Sequence, residues 1–286
     1  MPLAAVVLDF DPILRLGGIG VRLDALAAAG GVVVALLVGA ILAWRQPDDV
    51  RSDDLLFIAL AAAPGAVIGG RLGYVLVHLD YYRANPGAIL DPSQGSLELT
   101  LGVAGAALTA GYAARILSGA AGPWFHLAAV PTLIVLGAGK VAMALGGRGQ
   151  GLPASEPWAT HYAGPGPWGS LAPETPSHPA QLYEAGAIAI VVVFVVALLS
   201  IGLFRRGDGL AWIVSIALWL AARTVIAATW RDAPVVGPLR AEQLLSLGAL
   251  AVCLSAGIVL VRAAASPASQ RRGEVRWPDA ETRPPF

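Results

Sequence analysis

Residues 185–204 read AGAIAIVVVFVVALLSIGLF, an apolar run without a single charged position. At 1.5 Å per residue, an α-helix of about 20 residues crosses the roughly 30 Å of hydrocarbon in a bilayer. The run is continuous rather than alternating, and about twice as long as a barrel strand, so it reads as a transmembrane helix. Working outward, runs of the same kind lie at 26–44, 55–78, 97–116, 125–147, 210–230 and 244–261. The run at 97–116 is the weakest, because its Gly-rich start holds Glu98 and Thr100. The expectation is an all-α, polytopic integral membrane protein with about seven spans.

Composition agrees. Of 286 residues, 56% are hydrophobic and 13% charged, about half the charge of an average soluble domain. The 19 basic and 19 acidic residues cancel to a formal net charge of zero, so nothing points to a nucleic-acid partner. The one cysteine, Cys253, excludes an intrachain disulfide and has no neighbours at metal-ligand spacing, so neither metal nor cofactor is expected. The apolar stretch after Met1 is short and broken by Asp9 and Asp11. It does not read as a signal peptide, and the first span serves as the targeting signal. No internal repeat is visible, which weighs against a transporter built on inverted repeats.

Orientation follows from Arg and Lys in short loops. With the N-terminus outside, the inner side holds Arg45, Arg51, Arg115, Arg205, Arg206 and Arg262, plus Arg271, Arg272, Arg276 and Arg283. The outer side holds Arg15, Arg22, Arg83, Arg148, Arg231 and Arg240, so the bias favours N-out, C-in. The expected organisation is a seven-span membrane domain over 1–262 and a disordered cytoplasmic tail over 263–286. Between spans four and five, the outer region 148–184 is rich in Gly, Pro, Trp and His. A connection of that length is functional or disordered. Its Trp158, Tyr162, Trp168 and Tyr183 suit a segment at headgroup level.

Three cations interrupt the spans: Arg71, Lys140 (the only lysine) and Arg223. Each costs at least about 2.5–3.5 kcal/mol to insert. All three sit about seven residues before the outer helix end, roughly 10 Å deep, and Arg148 closes span four. Such a layer suits a lipid phosphate, which the planar fork of arginine matches well. The competing reading is that each cation snorkels outward or pairs with a carboxylate. Asp24, Glu98 and Glu156 lie near the same level as possible partners. Taken together, the cations favour a bound anion.

Several strings carry a family resemblance. Ile68-Gly69-Gly70-Arg71-Leu72-Gly73-Tyr74-Val75-Leu76 is followed by Asp80-Tyr81-Tyr82 and Ala84-Asn85-Pro86. His178-Pro179-Ala180-Gln181-Leu182-Tyr183-Glu184-Ala185 opens span five, Arg223 lies in span six, and Gln243-Leu244-Leu245-Ser246-Leu247 opens span seven. In order and spacing these resemble the prolipoprotein diacylglyceryl transferases over nearly the whole chain up to Val261.

The resemblance implies transfer of the diacylglyceryl group of phosphatidylglycerol to the lipobox cysteine of a prolipoprotein, with glycerol phosphate leaving. The implied setting is the bacterial cytoplasmic (inner) membrane, and the implied partners are membrane phospholipid and a lipobox peptide. Such chemistry needs fixed donors for the leaving phosphate. It also needs a base for the thiol, because the thiolate is the reactive form.

Carried over by position, Gly147, Arg148, Glu156 and Arg223 keep the family pattern. Gly151 and Ala154 replace two Asn residues, Thr100 replaces a His, Asp24 a Tyr and Ala227 a Glu. The implied roles are Arg148, Arg223 and His178 at the phospholipid, with Arg71 and Lys140 supporting the field. Glu156 orients Arg148 or activates the thiol, and Asp24 or Glu98 replaces the missing base. Glu184 reads as a helix-start residue. Two other readings stay open: a catalytically inactive relative that binds anionic phospholipid or lipoprotein, and a small transporter.

Overall fold

The computed structural model describes residues 5–46, 50–91, 95–205 and 207–265. The expected tail lies outside the described residues from position 266 onward, as do Asp48, Asp49 and Arg206. Among the described residues, seven helices are long and apolar enough to cross a membrane. They are α1 (Leu23–Trp44), α2 (Leu55–Val77), α4 (Leu99–Ser118), α5 (Gly122–Leu145), α6 (Ala180–Ser200), α7 (Leu210–Ile226) and α8 (Ala241–Ala265). The short α3 (Leu79–Ala84) follows α2. The chain is thus an all-α polytopic membrane protein. Its outer surface agrees: Val33, Leu37, Ile190, Val193, Val252 and Val259 all point outward, as lipid-facing positions do.

The starts of α1, α5, α6 and α8 all lie earlier than expected, and at α6 and α8 the reason is visible. Helix α6 begins at Ala180 and α8 at Ala241, because the polar residues preceding each apolar run are used inside the bundle. Gln181 and Glu184 are buried in the first turns of α6. Gln243 accepts from the Arg240 backbone N–H at 3.0 Å and donates to the Thr224 carbonyl at 3.1 Å, tying the start of α8 to α7.

The helices pack as a central set of α5, α6 and α7, with α1 along α5 and α8 along α7. Its apolar core joins Leu133, Leu136, Ile188, Val191, Val195, Ile216, Trp219 and Leu220. Helices α2 and α4 form a closely packed pair that meets the remaining helices over much shorter contacts. Glycine makes the pair possible. A Cβ at Gly65 would run into the Gly105 carbonyl, one at Gly105 into the Gly65 carbonyl, and one at Gly69 into the Leu101 carbonyl. Without a hydrophobic force between helices in lipid, such close backbone approach is what binds them.

Small sheets collect at one end of the bundle. Strand β1 (Val6–Leu8) pairs in parallel with β4 (Thr160–Tyr162), with Val6 opposite Thr160 and Leu8 opposite Tyr162. Strands β2 (Ile13–Leu16) and β3 (Ile19–Arg22) form a hairpin that runs into α1. Strands β5 (Pro234–Val236) and β6 (Leu239–Arg240) form a second hairpin between α7 and α8. The long region 148–184 is ordered through these pairings. Tyr162 is 1% exposed, so its ring faces the protein interior and not lipid or solvent. Its hydroxyl donates to the Ala144 carbonyl at 2.8 Å and accepts from Gln181 at 3.1 Å. Burial pushes its phenol up, so the group stays neutral. Trp168 packs on Tyr162 and Phe10, whereas Trp158 faces outward.

The α2–α4 contact supplies a test. Gly105→Leu forces two backbones apart and should destabilise the protein by about 3 kcal/mol or more. Thermal unfolding in detergent checks this, with the open position Gly186→Leu, which meets nothing within 4 Å, as the control that stays near the parent.

Candidate active site

The chain's polar centre is built where alternate helix ends meet. Glu98 precedes α4, Lys140 lies in the last turns of α5, Glu184 in the first turns of α6, Arg223 near the end of α7 and Glu242 in the first turn of α8. An up-and-down bundle brings these ends together at the end that carries the sheets.

Glu184 is the hub. It is fully buried, and Lys140 Nζ stands 2.8 Å from its Oε2. Arg223 Nη1 donates to Oε1 at 3.0 Å and to Oε2 at 3.1 Å, while Trp219 Nε1 donates to Oε1 at 3.0 Å. The other arm of Arg223 reaches Glu242 Oε2 at 2.6 Å and approaches Glu98 Oε1 at 3.7 Å. The Trp230 ring covers both cations, 5.1 Å from Lys140 Nζ and 4.6 Å from the Arg223 guanidinium carbon, an attractive arrangement for a cation over an aromatic face.

The charges balance within this cluster. Glu98 is the N-cap of α4, and its two oxygens accept from Thr100 N–H at 2.6 Å and Leu101 N–H at 2.7 Å. A helix N-terminus compensates a carboxylate. That leaves Glu184 and Glu242 against Lys140 and Arg223, two charges of each sign. Lys140 and Arg223 therefore hold carboxylates, and the geometry narrows the anion layer expected from sequence. Arg71 also looks elsewhere. It donates to the carbonyls of Ile89 at 2.7 Å, Ala88 at 2.6 Å and Asp91 at 3.0 Å, and lies over the Tyr82 ring. There it braces the loop after α3, as a snorkelling cation does.

A second centre lies at the start of α1. Asp24 is 4% exposed, and its carboxylate takes Arg22 Nε at 2.9 Å and Arg148 Nη2 at 2.5 Å. Two guanidinium groups share one carboxylate, so this centre carries a surplus positive charge. The hydrogen bond to Asp24 raises the Arg22 guanidinium further. The Arg148 side chain remains 55% exposed. Glycine makes room for it: a Cβ at Gly169 would run into the Arg148 side chain, and one at Gly146 would meet Asp24 Oδ2 at 2.7 Å.

The remaining expected residues hold the loop. His178 donates its N–H to the Leu152 carbonyl and accepts from Gly151 N–H, and its ring lies 3.3 Å from the Tyr183 hydroxyl. Glu156 forms no ion pair with Arg148 among the described residues, and its buried Oε2 has no hydrogen-bond partner. Thr100 is buried with its hydroxyl unpartnered. Arg231 ties the loop after α7 to Gly151 O at 2.7 Å and Ser177 Oγ at 2.9 Å. A cavity of about 110 Å³ lies among Lys140, Gln150, Gln181, Trp230, Arg231 and Asp232. No group of three or more His, Cys, Asp or Glu residues among the described ones is arranged to hold a metal ion.

Sequence reasoning missed Arg22, which shares Asp24 with Arg148, and two carboxylates of the buried cluster. Along the chain Glu184 reads only as a helix-start residue, and Glu242 carries no signal of its own. The signal is present in Lys140 and Arg223: a cation sealed inside the bundle demands a carboxylate at its own depth.

A seven-helix membrane bundle with a closed ion cluster and exposed arginines at the same end defines a polytopic membrane protein with a polar site at the bundle's loop-bearing end. The family model described as prolipoprotein diacylglyceryl transferase matches residues 12–261, and the chain belongs to that family. Among its relatives, a phosphatidylglycerol–prolipoprotein diacylglyceryl transferase of Beijerinckia indica subsp. indica is 34% identical over 74% of this chain and 82% of its own length. The enzyme of the same name from Geobacter sulfurreducens is 27% identical over 90% of this chain and 98% of its own length. That from Rhodopseudomonas palustris is 31% identical over 70% and 71%.

Removing the hub should unfold the site. Glu184→Ala leaves two buried cations short of a carboxylate and should cost about 3–5 kcal/mol. Thermal unfolding in detergent reads this directly, with the exposed Glu174→Ala as the neutral comparison.

Proposed function

We propose that this chain transfers the diacylglyceryl group of phosphatidylglycerol to the lipobox cysteine of prolipoproteins, at the outer face of a bacterial cytoplasmic membrane. Family membership supplies the reaction class. The observation that carries the site assignment is the half-exposed Arg148 guanidinium, one of two that share the single Asp24 carboxylate.

Phosphatidylglycerol enters with one phosphodiester charge, and the departing glycerol phosphate gains a second. A centre with surplus positive charge stabilises that gain, most strongly where water is scarce. Asp24 holds Arg148 and Arg22 in place, so their orientation is set before the lipid arrives. Arg148 contacts the phosphate. Lys140 and Arg223, matched by Glu184 and Glu242, hold the helix ends in register and set the field around the cavity. His178 supports the headgroup side through the loop it pins, and Glu156 lies close enough to Tyr183, in the first turn of α6, to act on it electrostatically.

One observation favours a second reading, a lipid-binding relative without turnover. Asp24 and Glu98, the carboxylates placed to replace the missing base, are engaged. Both oxygens of Asp24 hold arginines, and both of Glu98 cap α4.

Purified protein in detergent, given phosphatidylglycerol and a lipobox peptide, separates the readings by glycerol phosphate release. Release that requires the peptide thiol is the expected result. Arg148→Ala should lower it by about 100-fold or more, the scale seen when one donor to a developing anion is removed. Full turnover in Arg148→Ala removes the proposed phosphate contact. Phosphatidylglycerol binding without release, beside an active relative, selects the binding protein.

A further inference from the structure

We infer that Glu242 is the base that takes the proton from the acceptor thiol, a role that rests on the transfer reaction proposed above. The site holds four carboxylates close to its arginines and lysine, and they differ in how many of their oxygens are already used. Asp24 spends both on Arg22 and Arg148. Glu98 spends both on the N-terminus of α4. Glu184 spends both on Lys140, Arg223 and Trp219, and is sealed from solvent. Glu242 uses Oε2 alone, on Arg223 at 2.6 Å. Its side chain is 18% exposed, against 0% for Glu184 and 1% for Glu98. It is the carboxylate of the buried cluster that keeps both an uncommitted oxygen and a way out.

Position adds a second argument. The charged groups facing Glu242 come from every side: Arg223 on α7, Glu98 before α4, Lys140 on α5 and Asp232 in the loop after α7. When Glu242 accepts a proton, Arg223 loses the partner of its Nη2 arm, and the cluster gains one unit of positive charge. That gain coincides with the step in which the leaving phosphate gains one negative charge. Deprotonation of the nucleophile thereby adds positive charge to the field of the site as the leaving group departs.

The step balances. The thiol S–H breaks and its proton goes to Glu242 Oε1. The sulfur forms a bond to the glyceryl carbon that carried the phosphate. The bond from that carbon to oxygen breaks, and its electron pair leaves with glycerol phosphate as the dianion. The proton then passes from Glu242 to solvent or to the departing phosphate, and Arg223 recovers its partner.

The test uses the full chain in detergent with phosphatidylglycerol and a lipobox peptide, following glycerol phosphate release from about pH 5 to pH 9. Glu242→Gln keeps a hydrogen-bond acceptor for Arg223 and removes the proton-accepting charge. It should lower turnover by roughly 100-fold or more at neutral pH, the usual worth of a positioned base. Phosphatidylglycerol binding should stay at the parent's value, and the unfolding temperature should fall, because Arg223 loses a charged partner, yet stay above the assay temperature. The parent rate should level off once the carboxylate is ionised. The variant's rate should climb tenfold per pH unit up to the free thiol's range, about pH 8.5, because solvent must then supply the thiolate. Glu242→Asp should recover part of the rate.

Turnover in Glu242→Gln within threefold of the parent overturns the assignment. So does a variant that loses lipid binding along with rate, which marks a purely structural partner for Arg223. So does a levelling-off that survives in Glu242→Gln but vanishes in Glu156→Gln. A parent that binds phosphatidylglycerol yet releases nothing removes the transferase reading and this role together, an outcome distinct from the loss of Glu242 alone.

Discussion

A cation inside a bundle surrounded by lipid has no water to turn to, and the position of Glu184 follows from that. Lys140 and Arg223 enter from different helices, and the one carboxylate between them is fully buried on a third. Removing any one partner leaves a charge whose desolvation nothing offsets. The cluster therefore dictates how the ends of α5, α6 and α7 meet. Through Glu242 and Glu98 it also sets where α8 begins and where α4 approaches. Trp219 and Trp230 complete the arrangement by giving the cations aromatic faces in place of water.

Around this closed centre the protein keeps an open one. The Asp24 carboxylate carries two guanidinium groups, and one of them stays half exposed. The difference between the two centres is stoichiometric. Where carboxylates equal cations, the charges lock helices together. Where cations exceed carboxylates, charge is left to meet a ligand. The ordered region 148–184 belongs to the open centre. It delivers Arg148, brings Gly169 beneath that side chain and is anchored by Tyr162 and His178.

Much of this was legible along the chain. The spans followed from hydropathy. The glycine-rich stretches of α2 and α4 indicated close approach, and Gly65, Gly69 and Gly105 make it. The strings around Arg71, His178, Arg223 and Gln243 marked the family, and the match over residues 12–261 bears that out. The pairing of charges was legible only in part. Asp24, Glu98 and Glu156 were the partners expected at the right depth. Asp24 meets Arg148, Glu98 caps α4 with its oxygens and lies 3.7 Å from Arg223, and Glu156 pairs with neither Arg148 nor Arg223 among the described residues. Depth is a single coordinate, and several residues share it.

The sequence by itself determined that the chain is a seven-helix membrane protein and which family it belongs to. Hydropathy and motif spacing are properties of neighbours along the chain, and lipid permits few alternatives to the helix. The tertiary structure alone decided that Glu184 and Glu242, rather than a phosphate, answer Lys140 and Arg223, and that Arg148 keeps an exposed face. Which carboxylate reaches which cation depends on how helix ends are rotated and spaced against one another. That lateral arrangement is fixed by packing between helices distant in sequence, of which the order of residues along any one helix carries no record.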